Sequence, residues 1–271
     1  VYLNVDEQPV YAYSANHPVD AAKPTAVFIH GAANDHSVWG LQSRYFAYHG
    51  WNALAVDLPG HGRSEGKAIS SIEELADWMI RLLDSAGISR AALVGHSMGT
   101  LIALEAAARH PSRVAGIVLV GTAVPMAVSE PLLAASKANE HAAYEMINVF
   151  AHGPTAQIGG NRVPGLWMLG NNMRLMERSG HGVLHADFVA CNGYAGGLDA
   201  AAKVSCPVLL VLGKRDQMTP MSAAKEFAAK LKNVTTVALD GTGHALMAEK
   251  PDAVLDALRE FLTRLSRVLS N

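Results

Sequence analysis

Six short runs of small and branched apolar residues recur along the chain: AVFIH (26–30), ALAVD (53–57), AALVG (91–95), GIVLVG (116–121), PVLLVLG (207–213) and VTTVALD (234–240). Each is of strand length and apolar without alternation, the pattern of a strand buried on both faces. Segments of helical periodicity separate them. Residues 71–86 open with SIEE, a serine with glutamate three positions on, as in a capping box, and then place Ile72, Leu75, Met79, Leu82 and Leu83 on one face. Residues 251–269 repeat that period with Val254, Leu255, Leu258, Phe261, Leu262 and Leu265, and Pro251 stands near the start, where its missing N–H does little harm. Strands alternating with helices predict an α/β fold with a mostly parallel sheet flanked by helices. The opening runs VYLNV and VYAYS, parted by Asp-Glu-Gln-Pro, predict an antiparallel hairpin at its edge, which brings the sheet to about eight strands.

The alternation stops between residues 125 and 197, and a structureless loop of that length is improbable in a compact domain. The expected organisation is therefore a core domain of residues 1–124 and 198–271 with an inserted helical cap over 125–197. Five of the ten methionines fall in that stretch (Met126, Met146, Met168, Met173, Met176), with Phe150, Trp167 and Phe188. They read as a small satellite core, some of whose soft side chains line an apolar substrate pocket. Ala33, Trp167, Met126, Met146 and Leu246 are the expected pocket residues.

Composition narrows the function class. Half of the 271 residues are apolar and the net charge is −2, with acids and bases interspersed. No basic run is present to track phosphates or anionic lipid, so neither nucleic acid nor a membrane surface is an expected partner. The longest apolar stretch, 114–124, is broken by glycine and threonine and is too short to span a bilayer. Cys191 and Cys206 have neither zinc spacing nor the density of a disulfide scaffold, and read as free thiols in a reducing compartment. The absence of a charged-then-apolar leader at Val1 adds weakly to a cytoplasmic expectation and leaves open whether residues precede it. No metal cluster, phosphate loop or dinucleotide fingerprint appears, so no cofactor and no metal are expected. A homodimer is the oligomer that this reading leaves open.

The chemistry concentrates at GHSMG, residues 95–99, between the strand ending in ALV and a segment, TLIALEAAARHP, that reads as an amphipathic helix. A serine on a sharp strand-to-helix turn has its hydroxyl lifted out of the sheet and its N–H beside a helix N-terminus. Ser97 is thus the candidate nucleophile. It needs a base, and the base needs a carboxylate that fixes its tautomer. GKRDQMTP delivers Asp216 after one buried strand, where ligands of open α/β sheets bind, and GTGHALMAEKP delivers His244 after the next. Asp240 and Asp199 are the competing acids. His244 alone among the later histidines follows a core strand; His110 ends the elbow helix, and His141, His152, His181 and His185 lie in the expected cap. An acyl-transfer oxyanion needs two N–H donors, for which Met98 and Ala32 are chosen, with Ala33 next in line.

Taken together, HGAANDHSVW, DLPGHGRSEG, GHSMG, GKRDQMTP and GTGHALMAEKP resemble, in order, the oxyanion loop, the turn after the next strand, the elbow, the acid loop and the histidine loop of the α/β-hydrolase fold superfamily. The likeness runs along nearly the whole chain. It implies Ser97, Asp216 and His244 as a catalytic triad, Ala32 and Met98 as the oxyanion hole, and 125–197 as the cap. His30, Asp57, His61 and His96 also match family positions and read as supporting loop geometry. The expected activity is hydrolysis of a small to medium, largely apolar carboxylic ester, a small-molecule substrate, through an acyl-enzyme. Carbon–carbon bond or lactone hydrolysis with the same triad is the alternative, with perhydrolysis or transfer to another acceptor also open. A ligand receptor is the reading from a different class. Ser97 at the elbow sets aside the aspartate-dependent dehalogenases and epoxide hydrolases of this superfamily. Ala245 and Leu246 stand where carbon–carbon hydrolases usually carry an aromatic.

Overall fold

The structure is a computed structural model that describes residues 1–138, 141–160 and 166–269. Eight strands form its sheet: β1 (Tyr2–Val5), β2 (Gln8–Tyr13), β3 (Thr25–Ile29), β4 (Asn52–Val56), β5 (Ala91–His96), β6 (Val114–Val120), β7 (Val208–Gly213) and β8 (Val234–Leu239). Their order across the sheet is β1-β2-β4-β3-β5-β6-β7-β8. The β1–β2 hairpin joins β4 antiparallel, and every pair from β4 to β8 is parallel.

β3, β4, β5, β6 and β7 are buried at every position, as unalternated apolar runs require when helices cover both faces. β8 departs from that expectation: none of its residues is fully buried. It is the last strand of the sheet, with neighbours on one side only, so apolar composition alone does not bury it.

Helices α1 (Gly40–Ala47), α2 (Ile72–Ser85) and α3 (Met98–Arg109) follow β3, β4 and β5. Between β6 and β7 lie α4 (Glu130–Ala138), α5 (His141–Ala151), α6 (Pro154–Gln157), α7 (Met168–Met176), α8 (Val183–Gly193) and α9 (Gly197–Lys203). After β7 come α10 (Lys225–Lys230), α11 (Leu246–Glu249) and α12 (Pro251–Leu269). Over the expected cap, 125–197, the described residues form helices α4 to α8 joined by turns and coil, and α9 begins at its end; residues 139–140 and 161–165 lie outside the described residues.

One core packs α2 and α3 against the sheet, and a second packs α1 and α12 on the opposite face. A third cluster joins Leu132, Tyr144, Ile147, Met176, Leu184 and Phe188 of the helical segment to Ala33, in the loop after β3. The α3 segment was expected to be amphipathic but is buried on nearly every side, because it lies between β5 and β6 below and α2 and α9 beside it.

Because β3, β5, β7 and β8 run parallel, the loops that follow them emerge along one edge of the sheet. The strand order turns back between β3 and β5, the crevice position where open α/β sheets bind ligands.

Candidate active site

At the end of β5 the chain turns into α3 through Ser97, whose φ is +52° and ψ −121°. That conformation is costly for a side chain with a Cβ, of order 1–3 kcal/mol, and persists only where its surroundings enforce it. Here the Ser97 N–H donates to the Val120 carbonyl of β6 at 3.1 Å, while the Thr100 N–H and Oγ1 donate to the Ser97 carbonyl at 2.8 and 2.6 Å. The glycines on either side let backbone pass where a methyl group would collide. A Cβ on Gly95 would stand 2.2 Å from the Gly99 carbonyl oxygen, and one on Gly99 would stand 2.5 Å from that of Ile29.

The loop after β7 carries Asp216 and the loop after β8 carries His244, and their side chains meet. His244 Nδ1 donates to Asp216 Oδ2 at 2.8 Å, with both residues buried. The other carboxylate oxygen, Oδ1, accepts the N–H groups of Met218 and Thr219 at 2.9 and 2.8 Å, and Thr219 Oγ1 donates to Oδ2 at 2.7 Å. Burial alone would raise the Asp216 pKa. The pull of His244 and the bonds from His244 and Thr219 outweigh it and hold the carboxyl well below the usual range. An ionised Asp216 only accepts, so Nδ1 of His244 carries a proton, and in the neutral ring that tautomer leaves the lone pair on Nε2. That Nε2 is buried and has no hydrogen-bond partner among the described residues.

Ser97, His244 and Ala32 line one cavity of about 50 Å³, whose apolar wall includes Ile147, Met176, Phe188 and Met218. A larger cleft of about 710 Å³ adjoins it, sharing Asn34, His96, Asn172 and Ala245 as common walls. The cleft runs between α7 and α12 and does not itself reach Ser97 or His244. The small cavity is therefore where the candidate nucleophile and base converge, and the cleft is the space beside it.

Met98 is the first residue of α3, so its N–H belongs to the helix turn that has no carbonyl partner within the helix. Ala33, the second choice for the other donor, does not have its N–H free: Asp187 Oδ2 accepts it at 2.9 Å.

The remaining expected pocket residues lie elsewhere. Ala33 is fully buried in the third cluster, and Met146 packs against that cluster from outside. Met126 is buried in the core beside α3. Leu246 is fully buried on the α12 face, close to Gly121. Trp167 is 69% exposed, its ring laid over Gly170 one turn along α7. None of the five lines either cavity. Met126, Met146 and Leu246 pack within or against apolar clusters, whereas Trp167 is exposed.

The competing acids are accounted for. Asp240 is exposed and pairs with Lys214 at 2.7 Å, and Asp199 is exposed in the first turn of α9.

The buried histidines fasten loops. His30 Nε2 accepts the Leu58 N–H at 3.1 Å, which leaves Nδ1 to donate to the Gly31 carbonyl at 2.8 Å. His96 Nε2 donates to the His244 carbonyl at 2.9 Å. Burial depresses both imidazoles, His30 to about 4 and His96 to about 3, so both stay neutral. Asp57 Oδ1 accepts the N–H and Nδ1–H of His36, and Oδ2 accepts the Arg63 N–H. Asp35, His36 and Asp57 bring ligand-type atoms within 4.8 Å of one another, but these bonds already occupy both Asp57 oxygens.

Three contributors had no sequence signal. Thr219 supports Asp216. The Ala151 carbonyl at the end of α5 accepts the N–H groups of His244 and Ala245, at 2.7 and 2.9 Å. Asp187 is the third, and its partners, His61 and Ala33, are 126 and 154 residues away along the chain.

Comparison with known proteins agrees with this architecture. A family model described as the alpha/beta hydrolase family matches residues 26–257. The chain is 29% identical over 245 residues to the pimeloyl-[acyl-carrier protein] methyl ester esterase of Aromatoleum aromaticum, covering 85% of this chain and 94% of that protein. It is 25% identical over 243 residues to the (E)-2-((N-methylformamido)methylene)succinate hydrolase of Acinetobacter baylyi, covering 87% and 89%. Among solved structures, the enol-lactonase from Burkholderia xenovorans superposes with a TM-score of 0.83 at 22% identity, covering 97% of this chain and 100% of that one, which speaks to the fold. With the family match spanning most of the chain and the sheet built as that fold requires, the chain belongs to the alpha/beta hydrolase family.

Proposed function

We propose that this hydrolase cleaves small to medium carboxylic esters through an acyl-enzyme on Ser97. The observation that carries the reading is the 2.8 Å bond from His244 Nδ1 to Asp216, which turns the bare Nε2 into a base in the same cavity as Ser97. In the proposed cycle Ser97 Oγ attacks the ester carbonyl while His244 Nε2 takes its proton. The carbonyl oxygen becomes an oxyanion held by the N–H groups of Ala32 and Met98. Collapse expels the alcohol, which receives the proton from His244. Water then attacks the acyl-enzyme with His244 again as base, releasing the acid and restoring Ser97. Asp216 stays ionised throughout, orienting the imidazole and stabilising its charged form.

The two cavities argue for an unequal ester. The 50 Å³ space has room for a short acyl group, and the 710 Å³ cleft takes the larger alcohol part. In this reading the helices between β6 and β7 act as a cap, supplying Ile147, Met176 and Phe188 as the acyl wall. The test is hydrolysis of p-nitrophenyl acetate, butyrate and octanoate by wild type and Ser97→Ala. Turnover is expected to favour the short acyl groups and to fall by roughly 10⁴–10⁶-fold in the variant, the scale on which loss of a triad serine acts. Unchanged turnover in Ser97→Ala overturns the reading, and a preference for octanoate overturns the acyl assignment.

A further inference from the structure

The proposed reaction uses the segment between β6 and β7 as a cover, yet its polar contacts converge on the oxyanion loop. Ala33 is fully buried at φ +52°, a conformation that non-glycine residues seldom adopt. Both of its peptide groups are gripped by that segment. The Ala33 N–H donates to Asp187 Oδ2 of α8 at 2.9 Å, and the Ala33 carbonyl accepts Ser179 Oγ, from the turn before α8, at 3.0 Å.

The same Asp187 oxygen takes a second donor, His61 Nε2, at 2.9 Å, while His61 Nδ1 donates to the Pro59 carbonyl at 3.0 Å. A carbonyl and a carboxylate only accept, so His61 holds both ring protons and is an imidazolium. Burial opposes that charge, but Asp187 outweighs it, and the His61 pKa is raised. Asp187 and His61 are 1% and 3% exposed, and Asp187 Oδ1 has no partner among the described residues. A buried ion pair with an unsatisfied oxygen is weak as a source of stability, since desolvation offsets most of its attraction. Its geometric effect is definite. The peptide unit between Ala32 and Ala33 is planar, so holding the Ala33 N–H fixes the Ala32 carbonyl and anchors the loop immediately after the Ala32 N–H.

We propose that Asp187, assisted by Ser179, is a positioning residue of the oxyanion hole: it holds Ala33 so that the neighbouring Ala32 N–H faces the reacting carbonyl oxygen. This inference rests on the reading of Ser97 as the nucleophile. It makes the helical segment a working part of the catalytic geometry as well as a cover. The Ala151 carbonyl, gripping the His244 loop from the same segment, is the counterpart on the other side of the cavity.

The test measures kcat and KM for p-nitrophenyl acetate, and the affinity for phenylboronic acid, which forms a tetrahedral adduct with a nucleophilic serine. Wild type, Ser97→Ala, Asp187→Ala, Asp187→Asn and Ser179→Ala are compared. Asp187→Ala is expected to lower kcat about tenfold or more, with KM within about threefold, since displaced donors are lost chiefly in the transition state. Boronate affinity should fall by the same factor as kcat. Asp187→Asn, which keeps an acceptor for Ala33, should recover part of the loss, and Ser179→Ala should show a smaller loss of the same kind. Asp187→Ala with kcat and boronate affinity near wild type, or with a loss confined to KM, overturns the inference. Should Asp187→Ala fail to fold, unchanged kcat and boronate affinity in both Asp187→Asn and Ser179→Ala overturn it. A wild type without Ser97-dependent turnover instead removes the hydrolase reading, and this inference with it.

Discussion

Gly95 and Gly99 have no room for a methyl group, and at residue scale this is why the elbow can be read directly from sequence. A backbone that must pass within van der Waals contact of another backbone excludes every side chain, so the requirement is written as glycine. Alanine at Gly95 would force a Cβ to 2.2 Å from a carbonyl oxygen that cannot swing aside. Gly95→Ala is expected to cost about 4 kcal/mol or more, measured by urea denaturation, a value reserved for steric conflicts of this kind. Gly40→Ala is the contrast. Gly40 is helical at φ −54°, and a Cβ there meets nothing within 4 Å. That change should stabilise by about 0.5 kcal/mol through the unfolded chain. Equal effects at the two positions would refute the steric account. Asp187 lies at the other extreme of legibility. Nothing local distinguishes it from a solvated helix acid, because its partners His61 and Ala33 come from loops that only the folded sheet brings near.

Elements were legible where their pattern is self-contained. The apolar face of α2 is buried at Ile72, Leu75, Met79, Leu82 and Leu83, as its period requires. Its cap differs in detail from the expected box. The Glu74 N–H donates to Ser71 Oγ at 3.2 Å, as expected, but the carboxylate that meets Ser71 Oγ, at 2.9 Å, belongs to Glu73. Ser71→Ala should therefore cost about 1 kcal/mol, as loss of an N-cap acceptor typically does, seen as a lowered urea midpoint at unchanged m-value. No change in midpoint would mean that solvent caps the helix equally well. α3 and β8 were misread in opposite directions for one reason. Periodicity and composition describe what an element could bury, whereas its neighbours in the sheet decide what it does bury.

Across the whole molecule, buried histidines tie stability to pH. His30 and His96 have folded pKa values of about 4 and about 3, below the ordinary 6.5, and His152 is also lowered by burial. As pH falls below about 6.5 the unfolded chain binds protons that the folded chain refuses, so stability declines toward pH 4. Glu249, raised by burial, opposes this trend but is one group against three. Asp57 and Asp216 are lowered, and their contribution is lost only below about 3.8, outside this window. His61 has the other sign. Its raised pKa contributes stability fully below about 6.5, which is lost as pH climbs through the folded value. Urea midpoints should thus be lower at pH 5 than at pH 6.5, and the deficit of Asp187→Asn relative to wild type should shrink as pH rises above 6.5. A wild-type midpoint that is flat from pH 5 to 6.5 would show that these imidazoles are not buried in the folded chain.

The order of strands and helices, the hairpin at the edge and the strained turn at Ser97 were determined by the sequence alone, because each rests on local forces: apolar periodicity, backbone sterics and turn chemistry. The meeting of Asp216 with His244 lies between local and global. Both were nominated by the strands they follow, but only parallel pairing brings the loops together. The size of the cavity, the residues on its wall, the support from Thr219 and Ala151 and the hold of Asp187 on Ala33 were decided by tertiary structure. These depend on how the helices between β6 and β7 pack over the sheet edge, and their packing is a sum of contacts between residues distant in the chain, which no local pattern encodes.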